Sequence, residues 1–309
     1  MDYPKISVVV VNFNLGSYLK AALDSVVDQA YPNLELIVVD GGSTDDSVEV
    51  IKGFESHIEW WVSEPDNGQY DAVQKGFQKS SGEIMYWLNS DDMLQRRALF
   101  VVAEVFQSFP EIDWLTGLAS EYHPDGQNVQ RITLPWCRWS RMRYLTYDFQ
   151  FIQQESTFWR RSLWEKAGSH LSSELKLAGD MELWARFFRH AKLHTVQSLL
   201  GGFRYRREGQ RSRDFRMQYL NECASVVKRE RKAFGIFGRM ALSIFRPISL
   251  AFGIWFFYDV PIIRLAYLGM MSLPKVISYD FGKMQWVKKR ILVKQPPVWL
   301  WGKGWSIRK

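Results

Sequence analysis

Four apolar stretches recur early in the chain: Ile6 to Val11, Leu34 to Val39, Ile58 to Val62 and Ile84 to Leu88. Each is short, near-continuous and rich in β-branched or aromatic residues, which predicts strands buried on both faces in a parallel sheet. Helical spacing fills the gaps. Leu19, Leu23, Val26 and Val27 follow Ser17, a residue able to cap a helix, and helices are also expected over Ser47 to Phe54 and Asp71 to Lys79. Alternation of this kind predicts a sheet with helices on both faces. The polar clusters all fall where strands end: Asn12 and Asn14, Asp40, then Glu64, Asn67 and Gly68, and last Asp91 and Asp92. Ligands of such sheets bind outside the carboxyl ends of the strands, so one composite site is expected there.

Beyond residue 111 the pattern is less regular. Residues 112–150 read as further strands and loops, and Phe158 to Gly168 as a strand edge followed by a helix. Gly179-Asp180-Met181-Glu182-Leu183-Trp184 opens an amphipathic helix carrying Phe187 and Phe188, and residues 201–216 are rich in Gly and Arg. No Gly-x-Gly-x-x-Gly follows the first strand and no Walker-type lysine loop occurs, which excludes a dinucleotide or P-loop site by motif.

The chain is 47% hydrophobic, enough for a sizeable core and too much for disorder. Cys137 and Cys223 are far apart and without metal spacing, and His170, His190 and His194 have no ligand spacing either. The start, Met1-Asp2-Tyr3-Pro4-Lys5, has no secretory pattern, so the catalytic part is expected in the cytoplasm. Charge is uneven: residues 1–200 hold 18 Lys+Arg against 27 Asp+Glu, a net of −9, and residues 201–309 hold 22 against 6, a net of +16. A basic, aromatic back half points to an anionic surface. Its longest uncharged run, Pro247 to Tyr258, is 12 residues, short of the roughly 20 a spanning helix needs. Trp255, Phe256, Phe257 and Tyr258, with Trp286, Trp299, Trp301 and Trp305, suit a membrane interface. Apolar runs between the charges fit lipid better than nucleic acid. A helical subdomain packing on the core or on a partner is the alternative.

Two adjacent carboxylates, Asp91 and Asp92, at the end of a buried strand repel unless a cation sits between them. Mg²⁺ and Mn²⁺ take such oxygen ligands and share them with substrate phosphates, whereas a helix cap beside a solvated Asp is the plainer alternative.

Four blocks then carry a resemblance to family 2 glycosyltransferases, inverting enzymes of GT-A fold, among them those of bacterial surface polysaccharides. They are Ile6-Ser7-Val8-Val9-Val10-Val11-Asn12-Phe13-Asn14, Val38-Val39-Asp40-Gly41-Gly42-Ser43-Thr44-Asp45, Leu88-Asn89-Ser90-Asp91-Asp92 and the Gly179 to Trp184 block. The resemblance implies a GT-A domain over residues 1–215, with a mostly parallel nucleotide-binding sheet flanked by helices. Residues 216–309 are then a helical, membrane-associating segment peripheral on the cytoplasmic face.

The implied reaction moves a sugar from a nucleoside diphosphate, UDP by family habit though GDP or dTDP would serve, to a hydroxyl of a glycan, lipid-linked in this reading. Asn12, Asn14 and Asp40 are expected at the base and ribose, with Glu64, Asn67, Gly68 and Asp71 closing over the nucleotide or merely forming a turn and cap. Asp92 would ligate Mn²⁺ or Mg²⁺, and Asp91 would face the donor ribose or sugar. Asp180 would be the general base. The family usually has two consecutive acids there and this chain has one, so Glu182 stays open as the alternative. Gln153, Gln154, Glu155 and Ser156 are expected near the acceptor. Arg204, Arg206, Gln210 and Arg211 would form a flexible loop gripping the diphosphate, or only a solvated basic loop. A noncatalytic nucleotide-sugar binder or scaffold of the same fold is the competing reading.

Overall fold

A computed structural model describes residues 3–126, 129–132, 139–147, 152–240, 242–244 and 273–289. The strands are β1 (Ile6–Asn12), β2 (Leu34–Asp40), β3 (Trp60–Ser63), β4 (Ile84–Asn89), β5 (Met93–Leu94), β6 (Trp114–Leu118), β7 (Ser120–Tyr122), β8 (Val129–Ile132), β9 (Thr157–Arg160), β10 (His194–Leu199), β11 (Gly201–Arg204), β12 (Val276–Asp280) and β13 (Gln285–Lys289). The helices are α1 (Gly16–Val27), α2 (Ser47–Gly53), α3 (Gln69–Lys79), α4 (Ala98–Ser108), α5 (Arg141–Leu145), α6 (Arg161–Lys166), α7 (Gly179–His190), α8 (Arg211–Asp214) and α9 (Arg216–Lys232).

The main sheet runs β13-β12-β10-β6-β9-β4-β1-β2-β3, and a small one runs β5-β11-β7-β8. Only β9 and β13 run antiparallel to their neighbours in the main sheet, so it is mostly parallel, as expected. Alternation along β1 divides the core. Val9 and Val11 pack with Val73, Phe77, Trp87 and Trp184 on one face; Val8 and Val10 pack with Leu19, Leu23 and Val102 on the other. Trp87, Trp159 and Trp184 form a ring cluster with centroids 5.5 to 5.9 Å apart. It fixes α7 against the sheet, and truncating one such ring typically costs about 3–5 kcal/mol.

Two expectations are corrected. Ser17 does not cap α1: the helix begins at Gly16, whose N–H donates to Asp45 Oδ2 at 2.9 Å from the loop after β2. Residues 276–289 are not helical. They form a hairpin whose β12 pairs with β10, extending the main sheet. Trp286 is accordingly turned inward, its Nε1 donating to Glu104 Oε2 on α4 at 3.0 Å rather than waiting for lipid. Trp255, Phe256, Phe257, Tyr258, Trp299, Trp301 and Trp305 lie outside the described residues, as does Cys137. Among the described residues no helix is long and apolar enough to cross a membrane.

Candidate active site

Strand register brings the polar ends to one level. Asn12 lies opposite Asp40, Asp40 opposite Ser63, and Val11 opposite Asn89. Asp40 is fully buried. Its Oδ1 accepts from Asn12 Nδ2 (2.7 Å) and Ser43 Oγ (2.5 Å), and its Oδ2 from Ser43 N (2.8 Å) and Ser63 Oγ (2.7 Å). A carboxylate has about four acceptor sites, and all are filled. In this arrangement Asp40 holds the loop in shape. What it leaves is Asn12 Oδ1, buried without a partner. Asn14, at φ 50°, accepts from Thr44 N at 2.8 Å, and Phe13 beside it is 60% exposed.

The loop after β3 matches the turn-and-cap alternative. Asp71 Oδ2 accepts from Asn67 N at 3.0 Å, Asp66 Oδ1 accepts from Gly68 N at 2.7 Å, and Lys75 Nζ pairs with Glu64 Oε1 at 3.0 Å. Gln69, next in line, reaches into the site, donating to Asn89 Oδ1 at 2.6 Å.

The two carboxylates after β4 have unlike surroundings. Asp92 is buried; its Oδ1 accepts from Arg204 N (3.0 Å) and its Oδ2 from Asn89 Nδ2 (3.2 Å). Burial, then Asp91 and Glu155, push its carboxyl well above the usual range. Burial also raises Asp91, against the pull of Arg206, whose Nε stands 3.1 Å from Asp91 Oδ2 in an ion pair without an aligned hydrogen bond. Two acids held together in this way form a donor set that a hard dication would satisfy. Among the described residues no three His, Cys, Asp or Glu side chains converge on one point. An ion here would take one or two carboxylates and complete its shell from diphosphate and water, as Mg²⁺ commonly does.

In the loop after β11, two of the expected residues, Arg204 and Gln210, are internal. Arg204 is buried, its Nε donating to Asp91 O (2.7 Å) and its Nη2 to Tyr18 O (2.8 Å) and Ser90 O (3.2 Å). It braces the turn that carries the acids. Buried Gln210 donates to Arg204 O at 3.1 Å and closes the loop. Arg206 and Arg211 are the cations turned to the site; Arg211 donates to Lys176 O at 3.1 Å and acts electrostatically on Asp91.

Asp180 is in the first turn of α7. Burial pushes its carboxyl up to about 6, although Met181 N donates to its Oδ1 at 2.8 Å and Tyr70 OH stands 3.5 Å away. Glu182 is turned elsewhere. Both of its oxygens accept from Arg186 Nε, at 3.1 and 3.0 Å, and Arg186 also donates to Ala167 O and His170 O. Glu182 is thus committed to an i,i+4 ion pair that ties α7 to the segment after α6, and it is withdrawn from the site. Gln154 is an internal brace, donating to Trp87 O at 2.6 Å and accepting from Asn89 Nδ2 at 3.3 Å. Arg206, Gln69, Tyr70 and Phe13 belong with the site residues. Only Phe13 and Arg206 carried a signal in sequence, from the turn motif and the arginine-rich loop.

A mostly parallel α/β sheet thus carries an acid pair at its carboxyl edge, with Asp180 half-buried in the first turn of α7. The family model for glycosyl transferase family 2 matches residues 7–165, and the chain belongs to that family. It is 41% identical over 202 residues to an uncharacterized glycosyltransferase of Mycobacterium tuberculosis, covering 65% of this chain and 75% of that one. Its fold is similar to S. aureus TarS in complex with UDP-GlcNAc (TM-score 0.55, 16% identity, 84% of this chain and 83% of that one). It is also similar to the mannosyltransferase PcManGT from Pyrobaculum calidifontis in complex with GDP-Man and Mn²⁺ (TM-score 0.51, 16% identity, 88% and 87%).

Proposed function

We propose that this glycosyltransferase transfers a hexose with inversion from a nucleoside diphosphate to a hydroxyl of a lipid-linked glycan. The observation that carries this is Asp180, a half-buried carboxylate raised to about 6 at the start of α7, in a site that already holds Asp91 and Asp92. A group with that proton affinity is suited to take a proton near neutral pH. In the reaction the acceptor oxygen attacks the anomeric carbon while the carbon–phosphate oxygen bond breaks. The bonding pair leaves with the diphosphate, and the acceptor proton passes to Asp180. Asp92 and Asp91 would hold Mn²⁺ or Mg²⁺, which supplies Lewis-acid neutralisation of leaving-group charge. Arg206 and Arg211 face the phosphates, exposed Phe13 offers a stacking face for the base, and Asn12 Oδ1 is a free acceptor for a base N–H.

UDP is the preferred carrier, since a fold neighbour binds UDP-GlcNAc; another, with GDP-Man and Mn²⁺, keeps GDP among the candidates. The protein is placed on the cytoplasmic membrane face in surface polysaccharide or lipopolysaccharide synthesis. A basic cleft supports this, lined by Tyr147, Lys228, Arg231, Lys232, Arg239 and Ser243 and adjoining exposed Ile236, Phe237, Met240 and Ile244. The test is nucleotide release from UDP-, GDP- and dTDP-sugars, with Mn²⁺ or chelator, using membrane lipid extract as acceptor. Metal-dependent release from one donor that disappears in Asp180→Asn supports the reading; release that Asp180→Asn leaves intact defeats it.

A further inference from the structure

Glu155, expected from sequence near the acceptor, is a buried acid that the reaction as set out above does not use. It is 4% exposed, and its Oε1 has no hydrogen-bond partner among the described residues. Such an orphan is costly unless a ligand completes it. The turn that carries it is rigid. Tyr86 OH donates to Glu155 O at 2.9 Å, Gln154 bonds Trp87 O, and Ser120 and Gln153 exchange two hydrogen bonds. Gly201 passes so close that a Cβ there would stand 1.6 Å from Glu155 O. The backbone at Glu155 is therefore held in place, and the residue's neighbours locate it. Glu155 interacts electrostatically with Asp91, Asp180 and Glu121, which puts it among the acids of the site.

In an inverting transfer, the group lying between the diphosphate carboxylates and the base is the sugar being moved. We infer that Glu155 is a sugar-contacting residue, its unpartnered Oε1 taking a hydroxyl of the transferred hexose from the buried floor of the site. The depth of Glu155 favours the donor sugar over the acceptor, which must enter from the open side. A carboxylate oxygen without a partner is an acceptor suited to a sugar hydroxyl. Glu155 then discriminates between hexoses that differ at that hydroxyl. The inference rests on the transferase reading above.

The test measures, with Mn²⁺ present, binding of free UDP and GDP. It also measures binding and turnover of UDP-glucose, UDP-galactose, UDP-N-acetylglucosamine and GDP-mannose by wild type, Glu155→Ala and Glu155→Gln. The expected result is that Glu155→Ala keeps the affinity for the free nucleotide within about twofold but loses tenfold or more in kcat/KM for the sugar nucleotide, about one net hydrogen bond. If the alanine variant does not fold, Glu155→Gln decides. Its nucleotide affinity should be unchanged, and its preference among the sugars altered at least threefold. A parallel loss of free-nucleotide and sugar-nucleotide binding, or an unaltered preference, overturns the inference alone. A wild type that neither binds nor turns over any of these donors overturns the transferase reading itself.

Discussion

Gly179 lies against the ring of Tyr70, so that a Cβ at 179 would stand 2.7 Å from Cε2 and 2.8 Å from Cδ2 and Cζ. Tyr70 is itself pinned, its hydroxyl donating to Leu177 O at 2.7 Å. An acid before Asp180 does not fit while Tyr70 is there, which gives a steric reason for the single acid in this block. Gly179→Ala should therefore force either the ring or the first turn of α7 to shift. Overpacking of this kind costs about 1–3 kcal/mol. Thermal unfolding should register a lower Tm together with reduced turnover, since Asp180 moves with the turn. Adding Tyr70→Leu should recover part of the lost Tm, a non-additivity diagnostic of contact; purely additive losses would refute the packing argument.

Asp180 sets a pH dependence. A base acts deprotonated, so with its carboxyl at about 6, log kcat/KM should rise with unit slope up to about pH 6 and level off above. Tyr70 lowers that value through its hydroxyl, and Tyr70→Phe should move the limb to higher pH. The stability sign is opposite to that of a salt-bridged acid. A carboxyl raised above its ordinary 3.8 is an unfavourable charge at neutral pH, and the fold gains stability as pH falls through 6 towards 4. Asp180→Asn should thus lose about 10²–10⁴ in turnover without losing stability. A pH profile flat from 5 to 8 would remove Asp180 from the role.

The first four strands and the acid pair were legible because each apolar run is continuous and ends in a polar cluster at one sheet edge. Arg204 was not, since nothing in a linear sequence reveals that β11 runs beside Asp92 and turns its arginine onto the backbone of Ser90 and Asp91. The ion pair of Glu182, left open as the alternative base, carried a local signal: Arg186 stands four residues on, the spacing of a helix ion pair. The hairpin at 276–289 carried a local signal too, Val276-Ile277-Ser278-Tyr279 and Gln285-Trp286-Val287 around a turn. The basic, aromatic composition of the tail obscured it.

The acid pair also governs metal dependence. Asp91 pairs with Arg206, and Asp92 is held by Arg204 N and Asn89. Lewis-acid stabilisation is worth several kcal/mol, so chelation should lower turnover by at least about 10²-fold. Added Mn²⁺ should restore it. Asp92→Asn should need much more Mn²⁺ for half-maximal activity while leaving the Tm near wild type, because a buried, repelled charge is removed. Full activity in chelator would exclude the metal.

Glu35 links three segments, its oxygens taking Lys5 Nζ (2.6 Å), Ser7 Oγ (2.5 Å), Ser81 Oγ (2.6 Å) and Ser81 N (2.7 Å). Burial pushes this carboxyl up, but those partners outweigh it and hold it at about 2 against an ordinary 4.5. A depressed carboxyl contributes stability above its unfolded pKa and loses it as pH falls from about 4.5 through 2. The full contribution is on the order of 3 kcal/mol. Glu35→Gln should lose about that at pH 7, and denaturant curves of the two proteins should converge as pH approaches 2. A constant gap would place the effect in packing instead.

Membrane attachment can be tested at the cleft on α9. Among the described residues, Lys228, Arg231, Lys232 and Arg239 line it without a carboxylate, and Arg231 Nη2 is fixed by Ser243 Oγ at 2.9 Å. Beside them Phe237 is 84% exposed and Ile236 62%, a large apolar cost in water that an acyl boundary removes. Each cation near an anionic surface is worth about 1 kcal/mol. Reversing three of them in Lys228→Glu/Lys232→Glu/Arg239→Glu should therefore weaken binding to phosphatidylglycerol vesicles by well over about 10²-fold. Phe237→Ser should weaken it without changing its salt dependence, since that contribution is apolar. Binding of the wild type should fall steeply as salt approaches about 1 M, where the screening length is about 3 Å. Neutral phosphatidylcholine vesicles should capture little protein. Cosedimentation of the triple variant equal to wild type would show that this cleft is not the attachment surface, even if the chain still reaches the membrane by other residues.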